Sequence, residues 1–147
     1  MTRYLLVVNF EGGVVETSME EWEPEEVTAH LDYYRALHQE LVASGELVTS
    51  EVLAGPDLAK IVTWDGATAP VVTDGPFAEF KEWVAGYQIV EVESAERALE
   101  IAAKLSAVPG PGGKATQQPI QVRQVMDEAP SDVAEMEAFL EHVGKEL

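Results

Sequence analysis

The feature that most restricts the fold of this chain is a strand–helix–strand pattern that occurs twice, with a small hairpin between the two occurrences. Predicted strands, apolar or alternating and bounded by turn residues, lie at residues 3–10, 47–54, 60–64, 69–73, 83–92 and 120–126. Helical spacing of apolar residues predicts helices over about 24–44 and from 95 to about 106. Asp65-Gly66 marks the turn of the hairpin. This order predicts an α+β domain of the ferredoxin-like, split βαβ type.

The predicted helices have recognisable ends and apolar faces. Pro24 suits a first helical turn, Gly45 a helix stop, and Ser94 an N-cap. The inward positions of the first helix are Val27, Leu31, Tyr34, Leu37 or His38, and Leu41. Those of the second are Ala98, Ile101, Ala102 and Leu105. A further helix over 131–146, opened by Pro130-Ser131, carries Val133, Met136, Phe139 or Leu140, and Val143 on one stripe. We therefore predict a single domain, 1–147, with a core over 1–126 and a helical extension over 127–147.

The predicted sheet is apolar on both faces. The first strand places Tyr4, Leu6, Val8 and Phe10 on one side and Leu5 and Val7 on the other. The long strand at 83–92 places Tyr87 and Ile89 opposite Val84, Val90 and Val92. A ferredoxin-like sheet carries both main helices on one face, so the other face needs a cover. The cover is either a second copy, which we favour as a homodimer, or the terminal helix folded back.

Composition excludes several classes of protein and site. The 147 residues carry 27 acidic against 9 basic side chains, a net charge of −18 that disfavours nucleic acid and anionic membranes. The absence of cysteine excludes disulfides, thiolate zinc sites and thiol catalysis. The apolar run near the amino terminus is too short to span a bilayer, and we expect a cytoplasmic protein. The segment PGPGGK lacks the features of a phosphate loop, and the sequence has no dinucleotide fingerprint. We expect no organic cofactor.

A longer stretch resembles a known family. The segment VTDGPFAEFKEWVAGYQIVEV, with RYLLVV, YYRALHQELVASGELV and SAERALEIAAKL in the same order, resembles the YCII-related family in its DGPF-motif branch, from residue 3 to about 126. The resemblance implies a dimeric α/β barrel and a pocket between the first helix, the sheet and the motif loop. It also implies chemistry based on a paired histidine and aspartate. Branch members are often encoded beside sigma factors, so the resemblance links the chain to such a partner.

The chain departs from that family at three places. The first-helix histidine of the wider family falls at Tyr34, and a phenol is a poor base at neutral pH. Ala85-Gly86 stands where the branch has a glycine pair. Gln121 and Gln124 replace acidic and proline positions.

The motif itself, Asp74-Gly75-Pro76-Phe77, predicts a stiff bend. Pro76 has no N–H and restricts Gly75, so the loop holds Asp74 at a set angle while Phe77 anchors it. Asp74 either caps a turn or faces a pocket as a catalytic base or an orienting carboxylate. Lys81, just beyond, either forms an exposed ion pair or supplies a cation to an anionic ligand. Gly75, Pro76, Phe77 and Lys81 are the predicted ligand-binding residues.

His30, Tyr34 and His38 recur every four residues on the first helix and therefore share one side of it. With Asp74 they would form an acid–base set, with Tyr34 as donor and either histidine as proton carrier; otherwise they form a half-buried stripe with polar tips. His30 and His38 lie about 12 Å apart along the helix, so no metal site is predicted. The sequence leaves two functions open: a small enzyme, or a metabolite-sensing or regulatory module.

Overall fold

A computed structural model of the chain describes residues 1–9, 13–75 and 83–142. Six strands are present in the described residues: β1 Thr2–Asn9, β2 Leu47–Val52, β3 Lys60–Thr63, β4 Val71–Asp74, β5 Val84–Val92 and β6 Ile120–Gln124. Three α-helices accompany them: α1 Pro24–Ser44, α2 Ala95–Ser106 and α3 Val133–His142. Four strands form an antiparallel sheet in the order β2-β5-β1-β6, and β3 and β4 form a separate two-stranded sheet. The ferredoxin-like α+β prediction is confirmed.

One core joins α1, α2 and one face of the sheet. Its fully buried members include Leu6 of β1, Leu41 of α1 and Ile101 of α2. The four predicted inward residues of α2 are all buried, and the Ser94 hydroxyl accepts the N–H of Arg97 at 3.2 Å as the expected N-cap. Because residues of both helices belong to one cluster with Leu6, the two helices lie on the same face of the sheet.

The inward face of α1 is narrower than predicted. Leu37 and Leu41 are buried, but Leu31 is half exposed and His38 is exposed. At 100° per residue, Leu31 lies about 80° and His38 about 60° around the helix from Leu41, whereas Tyr34 lies within about 20°. The helix therefore turns Leu31 and His38 away from the sheet. Pro24 and Gly45 bound α1 as predicted, with Gly45 left-handed at φ 78°.

The end of β2 and the connection between β3 and β4 differ from the predicted boundaries. Strand β2 ends at Val52, two residues before the predicted end. The β3–β4 register pairs Thr63 with Val71, so the connection runs over 64–70 instead of the predicted 65–68. The carboxylate of Asp65 accepts the N–H groups of Ala67 and Thr68 at 2.9 Å each, which builds a wider turn around the aspartate.

A bulge in β5 changes the face on which Val84 lies. Val8 pairs with Gly86, but Asn9 pairs with Val84, so β1 skips Ala85. One extra residue reverses the alternation of side chains. Val84 therefore shares the face of Asn9, and its predicted grouping with Val90 and Val92 is wrong. Regular alternation in the sequence carries no signal for a bulge.

The terminal helix does not bury its apolar stripe in the described part of the chain. Residues 131–141 are all exposed, and the exposed fractions of Val133, Met136, Phe139 and Leu140 run from 37% to 74%. The stripe therefore does not pack on the chain's own sheet. Within the described residues, no helix has the length and apolar character needed to cross a membrane.

Arg97 of α2 anchors the end of α1 through Glu46. Its Nε and Nη2 donate to the two carboxylate oxygens of Glu46, both at 2.9 Å, and the side chain of Glu46 is only 14% exposed. These bonds from Arg97 are the main reason that the pKa of Glu46 falls from 4.5 to about 2. A bidentate pair of this kind is stronger than an ordinary surface ion pair.

We expect Glu46→Gln to lower the free energy of unfolding at pH 7 by about 1–2 kcal/mol, after allowance for solvent screening. Because the pKa is depressed in the folded state, the contribution is present above pH 4.5 and is lost as the pH falls towards about 2. Urea unfolding of both proteins between pH 7 and pH 2 measures the difference. Glu100→Gln is the matched control, since Glu100 binds the same arginine but its side chain is 64% exposed. An equal loss in the two variants would contradict the prediction.

Candidate functional site

The first half of α1 presents an imidazole and a phenol along its core-facing line. The rings of His30 and Tyr34 meet edge to face with centroids 5.1 Å apart. On the other side of His30, the indole of Trp22 makes a second edge-to-face contact at 5.3 Å. All three side chains are half-buried. The imidazole is thus held between two aromatic rings, a geometry that fixes its plane.

A loop after α2 fixes the position of one imidazole nitrogen. Nδ1 of His30 lies 2.8 Å from the carbonyl oxygen of Pro109. The same loop is tied to the start of α1 by the carboxylate of Glu26, which accepts the N–H of Gly112 and, at 2.9 Å, the N–H of Glu23. These two bonds, with that from Gly112 the larger cause, lower the pKa of Glu26. Glu26 therefore stays ionised and holds the Pro109 loop against the helix.

The wall of the site beside the Pro109 loop is closely packed. A Cβ added to Gly110 would lie 3.0 Å from Thr116 Cγ2 and 3.5 Å from the Trp22 ring. Thr116 is 5% exposed, and its hydroxyl oxygen has no hydrogen-bond partner among the described residues. A glycine at 110 thus lets the loop approach Trp22 closely.

Tyr34 remains a neutral hydrogen-bond donor. Burial raises the pKa of its phenol above the ordinary value, and the neighbouring Tyr33 adds a smaller effect in the same direction. Tyr33 itself faces α2, where its hydroxyl donates to the carbonyl of Lys104 at 2.7 Å. A phenol with a raised pKa donates a proton in a hydrogen bond but does not serve as a base near neutrality.

The remaining predicted site residues are not brought to this cluster by any described contact. Asp74 is exposed at the end of β4 and forms an ion pair with Lys60 across the hairpin. The N–H of Gly75 donates to the carbonyl of Ala59 at 2.9 Å, and a Cβ there would lie 2.6 Å from Ile61 Cγ1. Pro76, Phe77 and Lys81 lie outside the described residues. His38 is exposed on α1.

Sequence reasoning missed Trp22, Pro109 and Thr116. Trp22 lies in an acidic segment that resembles a solvated approach to a helix, and residues 109–119 have the composition of a flexible loop. The one tryptophan within that acidic segment is the only sequence feature that could have indicated a packed site there. Among the described residues there is no group of three histidine, aspartate or glutamate side chains arranged to hold a metal ion.

Comparison with known proteins gives one family. The model of the YCII-related domain matches residues 2–116, which is more than half of the chain. That span includes His30, Tyr34 and the Pro109 loop and ends before α3. No curated protein matches the chain.

Proposed function

Because the chain belongs to the YCII-related family, we propose that it binds a small organic molecule between α1, the sheet and the segment after β4. In this proposal His30 accepts a proton from that molecule and Tyr34 donates a hydrogen bond to it. The protein acts as a cytoplasmic homodimer and uses no organic cofactor. The reaction class is proton transfer, or addition and elimination, at a carbon beside a carbonyl.

The observation that carries the proposal is the contact between His30 Nδ1 and the carbonyl of Pro109 at 2.8 Å. A carbonyl oxygen can only accept, so Nδ1 carries the proton. In the neutral ring Nε2 then holds the free lone pair, which is the requirement for a general base. Trp22 and Tyr34 fix the ring plane and so direct that lone pair.

Tyr34 supplies the complementary group. A base that removes a proton from carbon leaves negative charge on the adjacent carbonyl oxygen, and a neutral hydroxyl stabilises that charge by donating to it. The raised pKa of Tyr34 keeps the donor protonated. Asp74 forms an ion pair with Lys60 in the described structure. It can take its predicted role as an orienting carboxylate only after it leaves that partner.

The homodimer part of the proposal rests on the apolar residues of the second face of the sheet, which the stripe of α3 does not cover. Leu5 and Tyr87, on strands β1 and β5, lie on the face opposite the core, and the stripe of α3 is exposed rather than packed there. A second copy laid sheet to sheet would cover that face. Sedimentation at high protein concentration tests this part: a single species of 16.0 kDa would contradict it.

The acid–base role is tested by deuterium exchange from D2O into a 1,3-diketone, a β-keto ester and a 2-oxo acid, followed by proton NMR. We expect catalysed exchange into at least one of them. His30→Gln should slow the exchange by about 10²-fold, which is the lower end of the usual rate contribution of a positioned general base. Tyr34→Phe should slow it less, because it removes one hydrogen bond.

His38→Gln distinguishes the two predicted proton carriers, since His38 is exposed on the same helix. Loss of exchange in His38→Gln with retention in His30→Gln would reverse the assignment. Equal rates in the wild type, His30→Gln and buffer would refute the catalytic role. Saturable binding without exchange would favour the metabolite-sensing alternative.

A further inference from the structure

Two side-chain atoms at β5 are buried without a hydrogen-bond partner. They are Oε1 of Gln88 and Nε1 of Trp83, and neither has a partner among the described residues. Buried polar atoms are nearly always paired in folded proteins, because an unpaired one loses its bonds to water without replacement. Each exception therefore calls for a physical explanation.

Gln88 lies on the face of the sheet that the helices cover. It pairs directly with Leu6 of β1, a fully buried core residue, and with Ser50 of β2. Residues directly opposite each other in an antiparallel pair point to the same face. The amide of Gln88 is thus on the same side of the sheet as Tyr34, which packs on that core from α1.

The bulge at Ala85 bears on the position of Trp83, which directly precedes β5. Val84 pairs with Asn9 and so lies on the face opposite the core. If the alternation of β5 is carried one residue further, Trp83 is assigned to the core-facing side. A regular strand would have placed Trp83 and Gln88, five residues apart, on opposite faces.

We propose that Gln88 Oε1 and Trp83 Nε1 bind the two ends of the ligand, and this rests on the function proposed above. Gln88 accepts a hydrogen bond from a hydroxyl or N–H at one end, and Trp83 donates to a carbonyl at the other. Trp83 and Gln88 are five residues apart along the chain, so the ligand is extended. Both side chains are uncharged, so the groups they meet are uncharged too, because an ion buried against them would stay unpaired.

The test uses three matched probes. 4-Hydroxyacetophenone carries both a hydroxyl and a ketone, 4-methoxyacetophenone lacks the hydroxyl hydrogen, and 4-ethylphenol lacks the ketone. Binding is followed by the indole N–H signals in proton–nitrogen NMR, where the chain has three tryptophans and Trp83→Phe identifies one signal. We expect 4-hydroxyacetophenone to move the Trp83 signal downfield.

Gln88→Leu should weaken binding of 4-hydroxyacetophenone at least tenfold and leave 4-methoxyacetophenone unaffected. Trp83→Phe should weaken both ketones but not 4-ethylphenol. Without probe, Gln88→Leu should melt at the same temperature as the wild type or higher, because it removes an unpaired buried acceptor. Gln88→Met serves the same purpose if the leucine variant does not fold.

Three results would overturn the proposal: unchanged affinity in Gln88→Leu, a lower melting temperature for both Gln88 variants, or no movement of the Trp83 signal with any probe. The first would mean that water alone meets the amide oxygen. The deuterium-exchange assay separates this failure from failure of the proposed function. Exchange that depends on His30 but is unaltered in Gln88→Leu would leave the acid–base role standing and reject the ligand contacts.

Discussion

Ile101→Ala is expected to lower the free energy of unfolding by about 3–5 kcal/mol, the upper part of the range for buried isoleucine truncations. Ile101 is fully buried in the cluster that joins α2 to α1 and the sheet. Removal of three carbon atoms loses their transfer free energy and leaves a cavity that strands β1 and β5 cannot fill by moving. Urea unfolding followed by tryptophan fluorescence and circular dichroism measures the loss.

Leu99→Ala is the matched control. It lies two residues away on the same helix, but its exposed fraction is 57%. The same aliphatic truncation there should change stability by no more than about 0.5 kcal/mol. Comparable losses in the two variants would mean that α2 is not seated on the sheet as described.

Gly13→Ala has the second large expected effect, a loss of about 3 kcal/mol. Gly13 has φ 77°, and an added Cβ would meet the carbonyl oxygen of Thr116 closer than non-bonded atoms can approach. The left-handed conformation costs a residue with a Cβ about 1–2 kcal/mol, and forced separation of packed backbone adds about 1–3 kcal/mol. The same carbonyl accepts the N–H of Val14 at 2.9 Å, so the clash also strains that bond.

Gly45→Ala separates the cost of the left-handed conformation from the cost of the steric contact. Its φ is 78°, almost the same, but nothing lies within 4 Å of the added Cβ. We expect this variant to lose only about 1–2 kcal/mol. Thermal unfolding of the pair measures the difference, and similar melting temperatures would show that the Thr116 contact is unimportant. Because Thr116 packs near Trp22 at Gly110, Gly13→Ala should also weaken the His30-dependent exchange.

The elements of this protein were predictable because local chemistry specifies them. Pro24 and Gly45 bound α1, and Ser94 caps α2, since each residue acts on backbone groups within its own turn. The family was also recognisable from short segments, and the match over residues 2–116 confirms it. His30 and Tyr34 were predicted as neighbours because helical spacing places residues i and i+4 side by side.

The candidate site was predictable only in part, because most of its contacts join distant segments. Pro109 lies 79 residues from His30, and no local pattern indicates that its carbonyl meets the imidazole. The pairing of Asp74 with Lys60 depends on the hairpin register, which the turn signal at Asp65-Gly66 does not specify. The bulge that turns Val84 away from the core-facing side also has no signal in the sequence.

By itself, the sequence determined the helices, the strands, their order and the pairing of His30 with Tyr34, because each depends on interactions within a few residues. The tertiary structure alone decided which histidine nitrogen keeps its proton, which polar atoms in and beside β5 have no partner among the described residues, and that α3 leaves its apolar stripe exposed. Those properties depend on contacts between segments far apart in the chain, and only the packing of helices against the sheet brings such segments together.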